Sequence, residues 1–208
     1  MTSGTKQVVF IHGGNTHAST DDFERYLREY PKERLAQKLL GEAPQLWSRT
    51  LQEALGEGWT VLAPSMPCAQ NARYAQWKLW MDNVVPFLQD DVVLVGHSLG
   101  GIFLAKYLIE HSLPVRISQL HLVAAPIDDT PQEPLGDFAP DTVADLARID
   151  DRVPEIYIYH SEDDPVVPFA DAAVYAHYLP NATMVRFTDR GHFLDETFPE
   201  LIARITQS

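Results

Sequence analysis

Val92-Val93-Leu94-Val95-Gly96-His97-Ser98-Leu99-Gly100-Gly101-Ile102-Phe103-Leu104-Ala105-Lys106-Tyr107-Leu108 is the stretch whose reading decides the fold. Its first four residues form the short, Val-rich apolar run of a strand buried on both faces. Its last seven read as a helix. Between them a G-x-S-x-G turn sets Ser98 between Gly96 and Gly100. A serine on a very sharp strand-to-helix turn crowds the positions two before and two after it, so both must lack a side chain. Such a turn lifts the hydroxyl to the carboxyl edge of a sheet, with a helix N-terminus behind it to favour developing negative charge.

Working outward, similar apolar runs recur at Val8–Ile11, Trp59–Ala63, Leu120–Ala124, Ile156–His160 and Thr183–Phe187. Helical patterns separate them. Strands alternating with helices imply a parallel sheet covered on both faces. The expected fold is α/β: a three-layer α/β/α sandwich with a six-stranded, mainly parallel sheet, five or six helices and little or no lid. Residues 1–208 read as one domain, without repeats or linkers. Trp77, Trp80, Met81, Val84 and Leu88 fall on one helical face closed near Pro86, and both tryptophans are expected in the core. Two segments exceed what a simple connection needs. Residues 15–43 carry Phe23, Tyr26, Leu27 and Tyr30 at helical spacing before Pro31, with Leu35, Leu39 and Leu40 beyond it. Residues 126–151 are acidic and proline-containing, a cap-like region with a short helix expected around Val143–Leu146.

The 208 residues suffice for a sizeable core, and 45% hydrophobic with 22% charged residues is ordinary for a globular chain. A formal net charge of -13 argues against binding nucleic acid or an anionic membrane surface. No apolar run approaches a membrane span, and Met1–Lys6 does not read as a secretory signal. The lone Cys68 excludes an internal disulfide framework. The expected location is cytoplasmic.

Sheets of this type hold ligands outside the carboxyl ends of their strands. After the fifth strand comes Ser161-Glu162-Asp163-Asp164-Pro165, and after the sixth Thr188-Asp189-Arg190-Gly191-His192-Phe193. Serine is a weak nucleophile at neutral pH and needs an imidazole base, which needs an anion to fix its tautomer. The order Ser98, Asp164, His192 is that of α/β-hydrolases. Asp164 is preferred because it stands four residues before Pro168; Asp163 then reads as a turn or capping residue. An oxyanion hole needs two backbone N–H groups. Leu99, next to the serine, supplies one; the His12-Gly13-Gly14-Asn15 turn supplies the other, with Gly14 first and Asn15 second. Asn15, His17 and Met66 are expected at the substrate pocket. His97 reads as a hydrogen-bonded support and Cys68 as a loop thiol. No metal-ligand spacing and no nucleotide-binding glycine motif is present, so neither metal nor cofactor is expected.

These residues, with Ser65-Met66-Pro67, Ala72-Arg73 followed by Trp77, and Gly96-His97-Ser98, resemble the small YdeN-type, retinoblastoma-binding-protein-nine-like serine hydrolases of the α/β-hydrolase superfamily. The resemblance covers most of the chain and implies a triad of Ser98, Asp164 and His192, no cofactor, and esterase or aminopeptidase-like activity. Two departures stand out. Leu88-Gln89-Asp90-Asp91 replaces the Leu-x-Cys-x-Glu segment of the human relative, so retinoblastoma-type binding is not carried over, and any protein partner is unknown. Residues 15–43 read as an insertion, either a lid over the pocket or an ordinary packed helix. The expected activity is hydrolysis of a small carboxylic ester, thioester or amide through an acyl-Ser98. The competing readings are an acyltransferase using the same acyl-serine and a non-catalytic binding module on a hydrolase fold.

Overall fold

In the computed structural model, which describes residues 5–129 and 134–207, six strands form one sheet in the order β2-β1-β3-β4-β5-β6. They are β1 (Lys6–Ile11), β2 (Trp59–Leu62), β3 (Val92–His97), β4 (Ile117–Val123), β5 (Glu155–Ser161) and β6 (Thr183–Phe187). All five pairings are parallel. The helices are α1 (Thr20–Glu29), α2 (Lys32–Leu40), α3 (Leu51–Leu55), α4 (Tyr74–Val84), α5 (Leu99–Glu110), α6 (Ala147–Asp150), α7 (Phe169–Tyr178) and α8 (Pro199–Thr206).

The period-2 alternation of the strands divides the core in two. Val9, Ile11, Val92, Leu94, Leu120, Leu122, Ile156 and Ile158 face the layer made by α4, α5, α6 and α7. Val8, Phe10, Val93, Val95, Val123 and Tyr159 face Trp47, α3 and α8. The expected three-layer sandwich is therefore observed. Its helix count exceeds the five or six expected, because residues 15–43 contribute two and α6 is a single short turn. The expected helix at Val143–Leu146 is a 3-10 turn running into α6. Part of the cap-like region, residues 130–133, lies outside the described residues.

The sheet places the functional region through one feature of its order. The chain leaves β1 for β2 on one side and returns to β3 on the other, so the turns after β1 and β3 open side by side at a switch point. The contact there is close. A Cβ on Gly100 would lie 2.2 Å from the Ile11 carbonyl oxygen, and one on Gly96 would lie 2.5 Å from that of Gly100. No larger residue fits either position without separating the helix from the sheet.

Two local expectations are corrected. Trp77 is fully buried, but Trp80 is 46% exposed. The buried face of α4 is centred on Tyr74, Trp77 and Met81, with Trp77 against Phe103 and Phe138, and Trp80 falls at its edge. Leu88 is buried, as its apolar character suggests, but from extended chain after α4. The amphipathic helices of residues 15–43 form as α1 and α2, with Ser19 capping α1 by accepting the Asp22 N–H. Neither helix contains a buried residue, and Leu27, Leu39 and Leu40 remain exposed.

Candidate active site

The turn after β3 puts Ser98 in a left-handed conformation with φ 54° and ψ −126°. A non-glycine residue adopts such a backbone only when its surroundings impose it. Here the Ser98 N–H donates to the Val123 carbonyl at 2.8 Å and the Gly101 N–H donates to the Ser98 carbonyl at 2.8 Å. The hydroxyl is thereby held at the carboxyl edge of the sheet, at the first turn of α5. Leu99 is the first residue of that helix, where backbone N–H groups have no intrahelical acceptor.

Two loops 28 residues apart meet the serine. His192 Nε2 lies 3.0 Å from Ser98 Oγ. Its Nδ1 lies 2.9 Å from Asp164 Oδ2 and 3.1 Å from Oδ1. An ionised carboxylate only accepts, so Nδ1 carries the proton and Nε2 is left to accept from the serine hydroxyl. Asp164 Oδ1 also accepts the N–H groups of Val166 and Val167 at 2.8 and 3.0 Å. Its side chain is closed off from solvent. Burial opposes ionisation, but the hydrogen bond and charge of His192, with the two backbone donors, outweigh it and hold the Asp164 carboxyl below the usual range. Asp163 does different work: it accepts the Ser161 hydroxyl and the Gly191 N–H, joining the loops after β5 and β6.

The position of His192 is fixed from behind by groups on two other segments. His97 Nε2–H donates to the His192 carbonyl at 2.9 Å. Trp47 Nε1–H donates to the Phe193 carbonyl at 2.9 Å, and the Trp47 backbone N–H donates to Asp195. His97 is thus a hydrogen-bonded support, as its position beside the serine suggested. Burial, followed by the neighbouring His192, pushes its imidazole down to about 4, so it stays neutral. Trp47 had no sequence signal tying it to this loop. Its apolar spacing marks a core residue, while its partner stands 146 residues away.

The turn after β1 is held with similar economy of motion. His12 Nδ1–H donates to the Gly13 carbonyl at 2.6 Å, and its Nε2 accepts the Met66 N–H at 2.9 Å. Gly14 is wedged: a Cβ there would lie 2.7 Å from the Ala69 carbonyl oxygen, 3.2 Å from Trp77 and 3.3 Å from Leu99. The Asn15 N–H is already donated to the Ala69 carbonyl at 2.8 Å, which takes it out of contention as an oxyanion donor. Asn15 instead offers its side-chain amide to the Tyr26 hydroxyl. His17 packs on Phe23 and Tyr26, and its Nε2 donates to the Gln70 carbonyl at 3.1 Å. Met66 is buried beneath this turn rather than open to a ligand. Cys68 is an exposed loop thiol. Among the described residues, no group of three or more His, Cys, Asp or Glu is arranged to hold a metal ion.

A family model described as serine hydrolase matches residues 37–201. The chain belongs to the serine hydrolase family. This hydrolase is 31% identical over 157 residues to the serine hydrolase RBBP9 of Rattus norvegicus, a match covering 73% of this chain and 78% of that protein. It is 26% identical to a pimeloyl-[acyl-carrier protein] methyl ester esterase of Aromatoleum aromaticum, covering 77% of this chain and 90% of the relative. Among solved structures it is similar to the ydeN gene product from B. subtilis, with a TM-score of 0.75, 22% identity and 98% of both chains covered. That last likeness concerns the fold. Together these matches place the enzyme among RBBP9-like serine hydrolases, on a fold like that of the ydeN product. Among the described residues, no helix is long and apolar enough to cross a membrane.

Proposed function

We propose that this enzyme hydrolyses a small carboxylic ester through an acyl-Ser98 intermediate. The observation that carries the reading is the unbroken row from Ser98 Oγ through His192 to Asp164, with separations of 3.0 and 2.9 Å. Ser98 Oγ attacks the ester carbonyl while its proton passes to His192 Nε2. Asp164 holds the tautomer that can receive it and balances the imidazolium. The carbonyl oxygen, now an anion, is met by the N–H groups of Leu99 and Gly14. Collapse breaks the bond to the alkoxide, which leaves with the proton from His192. Water then attacks the acyl-serine, gives a proton to His192, and the acid departs as Ser98 regains its hydrogen.

The hydrogen bond from Asn15 to Tyr26 and the packing of His17 on α1 support α1 as one wall of the pocket, within a single domain spanning the chain. The small-molecule substrate fits a chain whose net charge of -13 disfavours polyanions, and the single cysteine fits a reducing cytoplasm. The test is product analysis on a panel of esters, thioesters and amides, with and without an added alcohol. Free acid as the main product, with a transient acyl adduct on the peptide containing Ser98, is expected. Transfer to the alcohol in preference to water would replace hydrolase with acyltransferase. Hydrolysis undiminished in Ser98→Ala would remove the mechanism.

A further inference from the structure

A groove of about 700 Å³ runs between α2, the segment leading to Trp47, and the turn that follows His192. Its volume suits a small ligand. Arg34, Lys38 and Arg49 line it, with Leu46 and Leu194 supplying apolar wall and no acidic residue among the lining groups. That is unusual in a chain with a net charge of -13.

The two arginines of the groove are also unlike the other arginines of the chain. Of the eleven arginines, nine engage a carboxylate, a backbone carbonyl or an aromatic ring. Arg34 and Arg49 have no such side-chain partner among the described residues, and both line this groove. Lys38 lies over the Tyr30 ring at 5.3 Å, which places its ammonium without neutralising it. On the turn after His192, Asp195 is engaged by Arg190 at 3.2 Å. Converging cations without counter-charge make a concave positive site, and a guanidinium pairs with planar or tetrahedral oxyanions through parallel hydrogen bonds.

The groove borders the loop that carries His192, since Leu194 is one of its lining residues. Leu194 stands two residues after His192 and is 43% exposed. Leu46 precedes Trp47, which is bonded to Phe193 and Asp195. We propose that this groove binds a terminal anion, carboxylate or phosphate, on the acyl chain of the substrate whose ester is presented to Ser98. The inference rests on the esterase reading of the site and narrows it to anionic-ended acyl esters. The apolar wall accommodates the chain between the two ends, and binding of the remote anion positions the carbonyl.

The test uses unreactive ketone analogues, so that it does not depend on turnover. Three methyl ketones of equal chain length, ending in a carboxylate, a phosphate or a methyl group, are titrated calorimetrically into wild type and the Arg34→Ala/Arg49→Ala protein. Wild type is expected to bind at least one anionic ketone about tenfold or more tightly than the methyl-ended one. Whichever anion shows the preference is the one the groove takes. The double variant is expected to bring the affinities within about twofold, and Arg34→Lys/Arg49→Lys to retain part of the preference, which added salt then reduces. Equal affinities in wild type, or a preference that survives in the double alanine protein, would overturn the proposal. Loss of the Ser98 reaction would instead show as absent ester turnover, with these binding ratios still readable.

Discussion

Replacing Asp164 by Asn tests the geometry at its most sensitive point. The carboxylate has two unlike sides: Oδ1 accepts the N–H groups of Val166 and Val167, and Oδ2 makes the shorter approach to His192 Nδ1, 2.9 Å against 3.1 Å from Oδ1. An asparagine keeps the two backbone bonds only by placing its oxygen at Oδ1, which turns its amide NH₂ toward Nδ1. The imidazole must then accept there and carry its proton on Nε2, where the Ser98 hydroxyl needs an acceptor. The opposite amide orientation would set NH₂ against two N–H donors in a site closed to water, at about 1–3 kcal/mol for each unsatisfied group. The first orientation inverts the resting tautomer, and the second keeps it only at that cost while removing the negative charge that balances the imidazolium. The expected loss in kcat is about 10⁴-fold, or about 5.4 kcal/mol in the barrier, with KM little changed and the fold intact. Asp163→Asn is the comparison. Its acceptor role toward Ser161 and Gly191 can be kept by an amide oxygen, so turnover should fall less than about threefold. Steady-state hydrolysis of an activated acetate ester, with melting curves for both variants, provides the assay. Asp164→Asn retaining a tenth of wild-type turnover, or Asp163→Asn losing as much as Asp164→Asn, would refute the assignment.

Trp47→Phe keeps most of the packing but leaves the Phe193 carbonyl without its donor; stability should drop by about 1–3 kcal/mol and kcat should fall more than KM rises, read by denaturant titration and kinetics. Gly14→Ala drives a methyl group to 2.7 Å from the Ala69 carbonyl oxygen, so the turn must shift. We expect a fall of about 10²-fold or more in kcat with a destabilisation of about 1–3 kcal/mol, and wild-type kinetics would exclude Gly14 from the oxyanion hole. His121 is fully buried and pushed down to about 3 by burial, and His97 is held near 4. Their pKa values rise on unfolding to about 6.5, so the unfolded chain binds more protons between these limits. Stability is therefore fully present above pH 6.5 and falls as pH drops toward 4, by up to about 2.7 kcal/mol per pH unit for two protons. Equal urea midpoints at pH 7 and pH 5 would contradict this.

How much of the molecule was legible depended on the range of the interaction involved. The strand at Thr183–Phe187 coincides with its apolar run, whereas β4 begins at Ile117, three residues before the apolar run at Leu120. The early part is hidden because Ser118 and Gln119 are polar; Gln119 is nevertheless buried, bonded to His121, Glu155 and the Arg204 carbonyl. Helical spacing announced α1 and α2 but could not tell what their apolar faces would meet, and Leu39 and Leu40 meet little. The same limit explains Trp80, since periodicity gives a face while packing chooses its centre. Ser98, Asp164 and His192 were readable because each sits in a local turn motif at a strand end, and the proline offset that favoured Asp164 over Asp163 agrees with which carboxylate reaches His192. Trp47 behind Phe193 and the unpaired arginines beside Leu194 were not, because contacts between distant segments leave no trace in local pattern.

The central claim is an activated Ser98, and intact-mass analysis after exposure to a fluorophosphonate addresses it most directly. One adduct on wild type, mapped to the peptide containing Ser98, and none on a folded Ser98→Ala protein is the predicted result. An unlabelled but folded wild type, or a Ser98→Ala protein labelled as fast, would contradict it.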